Sequence, residues 1–128
     1  MRDSMPTGLV KFHGARGALT VEIARTRREN LDGLSGRQRL GRNSGMLFDM
    51  RGMLGFHTVG VRFPLDMIFI SDTGHVVDIK HSVPANARGP FVSADRARRA
   101  IEAAGGWAKR NGLRTGMRAT IEPNVTHA

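Results

Sequence analysis

A proline stands in the middle of the most apolar stretch of the chain. The run Phe56-His57-Thr58-Val59-Gly60-Val61-Arg62-Phe63-Pro64-Leu65-Asp66-Met67-Ile68-Phe69-Ile70 would otherwise read as one long strand. Proline has no N–H to give to a sheet ladder, and its ring pushes the preceding residue, Phe63, into an extended conformation. The run therefore divides into a short strand over 56–59, a bend from Gly60 to Pro64, and a strong strand over 65–71. In the second strand Leu65, Met67 and Phe69 face one way, and Asp66, Ile68 and Ile70 face the other. Asp66 thus shares a face with two isoleucines. A carboxylate placed there needs a partner, because an unpaired buried charge is costly. His57 and Arg62 are the nearest partners in sequence.

Two readings of this segment follow. In one, His57 and Asp66 form an acid–base or ligand-orienting pair, the candidate catalytic residues, with Thr58 and Arg62 as ligand or anion contacts. In the other, Asp66 is a structural anchor that ties the bend by hydrogen bonds, and His57 is a packed histidine. The balance favours the anchor, since catalytic carboxylates sit at strand ends in clefts and nothing in the sequence places a cleft here.

The segments Gly45-Met46-Leu47-Phe48, His57-Thr58-Val59-Gly60-Val61-Arg62-Phe63-Pro64-Leu65-Asp66 and Asp72-Thr73-Gly74 together resemble a bacterial and archaeal family, domain of unknown function 192. They resemble most closely its branch with His-Thr-x-Gly-Met-x-Phe-Pro-x-Asp at the centre, with Val61 where methionine is usual. The resemblance runs from about Leu19 to Ile121. It implies a compact, mostly β domain with short helices, and it brings no established activity.

Along the chain, residues 19–23 alternate apolar and polar as a half-buried strand does. Thr26-Arg27-Arg28-Glu29 fits a capping box, so a short helix should run to about Asp32 and end at Gly33. Residues 35–44 form a loop in which Arg37, Arg39 and Arg42 make the best local anion-binding cluster. Residues 46–48 form a short strand. Asp72-Thr73-Gly74 joins the central strand to a return strand over 75–81 as a tight hairpin. Over 95–111 two patterns conflict. Ala97, Ala100, Ile101, Ala104, Trp107 and Ala108 repeat at helical spacing, whereas the family resemblance implies a strand near Arg99–Ala103, a glycine turn and a short helix at about 106–111; the second is adopted. A last strand is expected over Met117–Ile121.

These elements predict a mainly β (α+β) fold: a single compact antiparallel β-barrel or sandwich-like domain with two short helices. Residues 19–122 would form the domain. Residues 1–18 would be an N-terminal extension holding an edge strand at Val10–Phe12, and residues 123–128 a tail. At 128 residues one core can be buried without disulfides or metals, and the chain has no cysteine.

Charge bears on partners rather than fold. The net charge is +9, and the 20 basic residues include only three lysines, Lys11, Lys80 and Lys109. Arginine forks suit carboxylates and phosphates. The charge is spread along the sequence, which lowers the nucleic-acid reading. His75, Asp78 and His81 could hold a metal only if they converged. Strand geometry keeps the two histidines about 20 Å apart at roughly 3.3 Å per residue, so no metal site is expected. No phosphate-binding, dinucleotide-binding or metalloprotease motif is present, and no cofactor is expected. No apolar run approaches the ~18 residues of a membrane span. Met1-Arg2-Asp3-Ser4-Met5-Pro6 lacks the apolar centre of a signal peptide, so the expected location is the cytoplasm or a larger assembly.

The sequence thus favours a small basic interaction module that docks a protein partner or an anionic ligand, or a structural component of an assembly such as a virion. A small enzyme working through His57 and Asp66 is the alternative. Charge-driven nucleic-acid binding comes third, and the oligomeric state is unknown.

Overall fold

The structure, a computed structural model, describes residues 5–124. The part of the expected tail from Val125 onward lies outside the described residues, as does the start of the chain before Met5. The elements are β1 (Thr7–Phe12), β2 (Ala18–Ile23), α1 (Arg27–Asp32), β3 (Ser44–Asp49), β4 (Leu65–Ile70), β5 (Val76–Val83), β6 (Arg99–Ala104), α2 (Trp107–Arg110) and β7 (Ala119–Pro123). The strands form one sheet in the order β5-β4-β6-β3-β2-β1-β7.

The sheet curls until its two edge strands meet at one end. The N–H of Val76, at the start of β5, donates to the carbonyl of Met117 (2.8 Å). The Gly116 N–H donates to the Val76 carbonyl (2.7 Å), and the Ala119 N–H to the Gly74 carbonyl (2.8 Å). The result is a mostly β half-barrel with two short helices, as expected. One expectation is corrected: the sheet is not wholly antiparallel, because β2 and β3 run parallel, joined through α1 and the loop after it.

β4 is buried along its whole length, as befits a strand with packed side chains on both faces. Ile68 and Ile70 join Val10, Leu19, Val21, Leu47, Ile101 and Trp107 in the inner cluster, which α2 plugs. Met67 and Phe69 join Leu34, Met46, Phe48 and Phe56 on the other face, covered by the segments that follow β3 and β5. Two layers of apolar side chains therefore share one sheet.

Two further expectations are adjusted by packing, and two are met. The segment 56–59 is not a strand: Phe56 pairs only with Phe91, by two backbone hydrogen bonds of 3.0 and 2.7 Å. Its chain then curls, because the Val59 N–H turns back onto His57 Nδ1 (3.1 Å). β1 is no edge, since it pairs with β2 on one side and β7 on the other. Over 95–111 the strand-turn-helix reading is the one found. Ala100, Ile101, Glu102 and Ala103 are all buried, so apolar residues occupy both faces of β6 and mimic a helical period. The capping box at α1 is present as predicted: Glu29 N–H donates to Thr26 Oγ1 (3.0 Å), and Glu29 Oε1 accepts from the Thr26 N–H (3.2 Å).

Candidate functional site

Asp66 lies at the start of β4 with no exposure to solvent. Its Oδ2 accepts from the N–H of Ala108 (2.8 Å), and its Oδ1 accepts from those of Gly106 (3.1 Å) and Ser82 (2.9 Å). Two of these donors belong to the first turn of α2, where N–H groups have no intrahelical partner. Gly106 supplies the left-handed backbone (φ +92°) that turns its N–H toward the carboxylate, a conformation that suits glycine. Asp66 therefore clamps α2 into the barrel.

The structure does not bring His57 and Asp66 together. His57 is exposed, and its Nδ1 accepts from the Val59 N–H. Thr58 is buried: its hydroxyl donates to the Pro84 carbonyl (2.7 Å) and accepts from the Ala87 N–H (2.8 Å). It pins the bend to the loop after β5 and has little capacity left for a ligand. Arg62 is exposed.

The three loop arginines have different fates. Arg37 forms a two-pronged ion pair with Glu22. The hydrogen bond from Glu22 raises its pKa further, against the opposing effect of partial burial. Arg39 and Arg42 are exposed. The Arg42 carbonyl accepts from Arg110 Nη2 (3.3 Å), and the Arg110 carbonyl accepts from Arg16 Nη2 (3.0 Å). The backbone is tied at the same place, Arg16 N–H to the Asn111 carbonyl (2.9 Å), and Trp107 Nε1 donates to Asn43 Oδ1 (3.2 Å).

These contacts join three segments, 5–21, 33–48 and 103–121, none of which contains an aspartate or glutamate. Arg16, Arg39, Arg42, Lys109, Arg110 and Arg114 are all exposed on them. Arg16, Arg42 and Arg110, far apart in sequence, are thus brought together beside α2. Three acidic side chains are paired elsewhere, Asp32 with Arg28, Asp49 with Arg98 and Asp78 with Lys80, whereas Asp66 lies buried beneath α2 and Glu122 shares a recess with Arg16. Sequence reasoning found Arg39 and Arg42 but missed Arg16 and Arg110, whose partners are 94 and 68 residues away.

A second feature went unread in the sequence. Glu102, in the middle of β6, is 3% exposed and lies across from Met46 and Met67 in the neighbouring strands. Burial pushes its carboxyl up to about 8. It lines a crevice of about 90 Å³ between the end of α1 and the segment 53–61, with His57 at the same crevice. Among the described residues no group of three or more histidine or acidic side chains could hold a metal.

Fold and contacts together define a small half-barrel domain in which three arginines meet beside α2. The chain belongs to the family domain of unknown function 192, described as uncharacterized ACR, which it matches over residues 9–121. Two solved structures are similar. One, a protein of unknown function from Novosphingobium aromaticivorans DSM 12444, is 28% identical with a TM-score of 0.78, over 89% of this chain and 83% of that one. The other, from Sinorhizobium meliloti 1021, is 26% identical with a TM-score of 0.85, over 94% of this chain and 98% of that one; it is described as a candidate transcription regulator. No curated protein matches the chain.

Proposed function

We propose that this protein is a small basic binding domain that docks an anionic partner on the α2 end of its half-barrel. The observation that carries the reading is the junction of Arg16, Arg42 and Arg110, where acid-free segments meet. Hydrogen bonds to backbone carbonyls hold Arg16 and Arg110 in place while leaving their charge uncompensated, so less ordering entropy is lost on binding. Arg37 is set apart, since Glu22 neutralises it. The absence of a hydrogen bond between His57 and Asp66 favours binding over catalysis by that pair.

Nucleic acid is the first anion to try, because the Sinorhizobium relative is described as a candidate transcription regulator. The sole tryptophan, Trp107, is buried. Contact would therefore run through phosphates rather than through tryptophan stacking on bases.

The test is fluorescence anisotropy with a short DNA duplex and with poly-glutamate. The binding constant should fall with salt between roughly 50 and 200 mM, with a slope of about one per neutralised phosphate. An Arg42→Glu/Arg110→Glu double variant should bind the duplex at least tenfold more weakly. Unchanged binding by that variant contradicts the reading, and a preference for poly-glutamate moves the partner class from nucleic acid to acidic protein.

A further inference from the structure

The crevice over Glu102 is independent of the basic end. Its floor holds two acceptors without partners. The Glu102 side chain is 3% exposed and has no hydrogen-bond partner among the described residues, and the fully buried Oδ1 of Asn30 has none either. Both line the same space of about 90 Å³. A buried polar group left unmade costs on the order of 1–3 kcal/mol, and native structures satisfy nearly all of them. An orphaned amide oxygen and a buried carboxyl on residues that line one cavity leave polar capacity that a ligand could complete.

The walls specify that ligand. Phe48, Met53 and Phe56 make one side apolar, and Phe48 and Phe56 meet edge to face with ring centroids 5.2 Å apart. The charged or titratable groups that face the space are Glu102 from β6, Asp32 from the end of α1 and His57 from the bend. The strands beside Glu102 contribute Met46 and Met67. No arginine or lysine lines the crevice, in a chain that carries 20 of them. At Gly33 no side chain stands between α1 and the carboxyl: an added Cβ would lie 3.6 Å from Glu102 Oε1. The mouth is apolar, with Leu31 63% and Val59 44% exposed. At ~30 Å³ per water, the space of about 90 Å³ holds a small head group with a short alkyl stem.

We propose that this crevice binds a primary ammonium group, with Glu102 as its counter-ion, Asn30 Oδ1 accepting a second N–H, and the attached alkyl chain lying against Phe48, Met53 and Phe56. Aromatic walls suit a cation, and an ion pair satisfies a buried carboxylate that would otherwise stay protonated. The proton balance is explicit. The free site carries Glu102 as the neutral acid. An incoming alkylammonium pairs with the carboxylate, and the carboxyl proton leaves to solvent, one per ligand bound. The ammonium itself keeps its protons, since such amines titrate near ~10.4. The same chemistry can come from a free amine or from a lysine side chain of a peptide.

The experiment is calorimetric titration of the full chain with propylamine and with Nα-acetyl-lysine N-methylamide, in two buffers of different ionisation enthalpy. Affinity should rise about tenfold per pH unit from pH 6 toward 8, with one proton released, and level off above that. The lysine derivative binding while propylamine does not would assign the site to peptides; the reverse would assign it to free amines. Glu102→Gln, isosteric with the protonated acid, should lose at least tenfold at pH 8 and lose the pH dependence. Asn30→Ala should weaken binding and keep the slope. His57→Gln should keep the slope above pH 7, separating histidine titration from Glu102. A pH-independent affinity, equal binding by a folded Glu102→Gln protein, equal binding of tetramethylammonium, or no binding of either amine would overturn the proposal. Proton release by the wild-type protein decides the matter even if a variant fails to fold.

Discussion

Asp66 Oδ2 and the backbone N–H of Ala108 lie 2.8 Å apart, across 42 residues of sequence. With the Gly106 and Ser82 donors, that contact turns an apparent active-site carboxylate into the clamp that seats α2 in the barrel mouth. Hydrogen bonds to a charged group contribute about 1.5–3 kcal/mol each. Asp66→Ala should therefore lower stability by roughly 3–5 kcal/mol, because it orphans buried donors as well. Urea denaturation followed by the fluorescence of Trp107 checks it. A loss below about 1 kcal/mol would mean that water replaces the carboxylate.

Trp107 fills the centre of the inner cluster, fully buried, tilted against Phe12 at 5.8 Å between ring centroids. Truncation there leaves a large cavity, so Trp107→Ala should cost on the order of 3–5 kcal/mol. Trp107→Phe keeps most of the volume and loses the hydrogen bond to the exposed Asn43, and should cost about 1–2 kcal/mol. Thermal melts by circular dichroism separate the two.

How much of this was legible before folding depends on the range of the interaction. Local rules sufficed for the capping box at Thr26 and Glu29, the break at Pro64 and the hairpin at Gly74. They also marked Asp66 as needing buried partners, but those partners are backbone groups of residues 82, 106 and 108, which no side-chain pattern announces. Residues 56–59 looked like a strand because Phe56 and Val59 are β-formers. Their chain is instead curled by the His57–Val59 contact and by Thr58 bonding to Pro84 and Ala87. Arg39 and Arg42 were visible as a cluster, whereas Arg16 and Arg110 join Arg42 only when β1, β2, β3 and β6 are assembled into one sheet. Glu102 carried no signal at all: flanked by alanines and isoleucine, it reads as an exposed position of a strand, yet both faces of β6 are covered.

Glu102 also makes stability depend on pH. Its carboxyl is raised from 4.5 to about 8 in the folded protein, so the folded state binds a proton that the unfolded state has released between those values. The unfolded state then binds fewer protons, and stability falls as pH rises. The contribution is complete below about 4.5, is lost progressively up to about 8, and changes little beyond. Melting temperatures should decline from pH 5 to 8 in the wild type and be flatter in Glu102→Gln, with the variant the more stable protein at pH 9. Parallel curves for the two proteins would contradict this.

The acid limb has different owners. The Glu29 carboxyl is lowered by the backbone N–H of Arg25, against some desolvation, with the N–H of Thr26 helping. Burial pushes Asp78 up, but the Ala94 N–H and Lys80 bring it below its ordinary value on balance. Carboxyls lowered on folding stabilise above their unfolded pKa and lose that contribution as they protonate. Stability should therefore also fall below about pH 4, and Asp78→Asn should remove part of that acid limb while leaving the decline above pH 5 intact.

Anion binding should discriminate between arginines that look alike in sequence. Arg37→Ala should leave duplex affinity nearly unchanged, since Glu22 already holds that guanidinium. Arg42→Ala and Arg110→Ala should each weaken binding uniformly across sequences and lower the salt slope by about one. Equal effects at all three positions would point to overall charge rather than to the α2 end.

The most direct test of the central claim is to map the contact. In ¹⁵N-resolved NMR spectra of the full chain titrated with a short DNA duplex at low salt, the gathered basic end predicts where amides move: residues 13–17, 39–43 and 105–114, with the hairpin at 72–74 and the outer segment 49–55 still. Confined shifts of that kind establish the α2 end as the docking surface. Shifts scattered over every exposed arginine, or centred on 49–61, would contradict the account and leave the charge without a face.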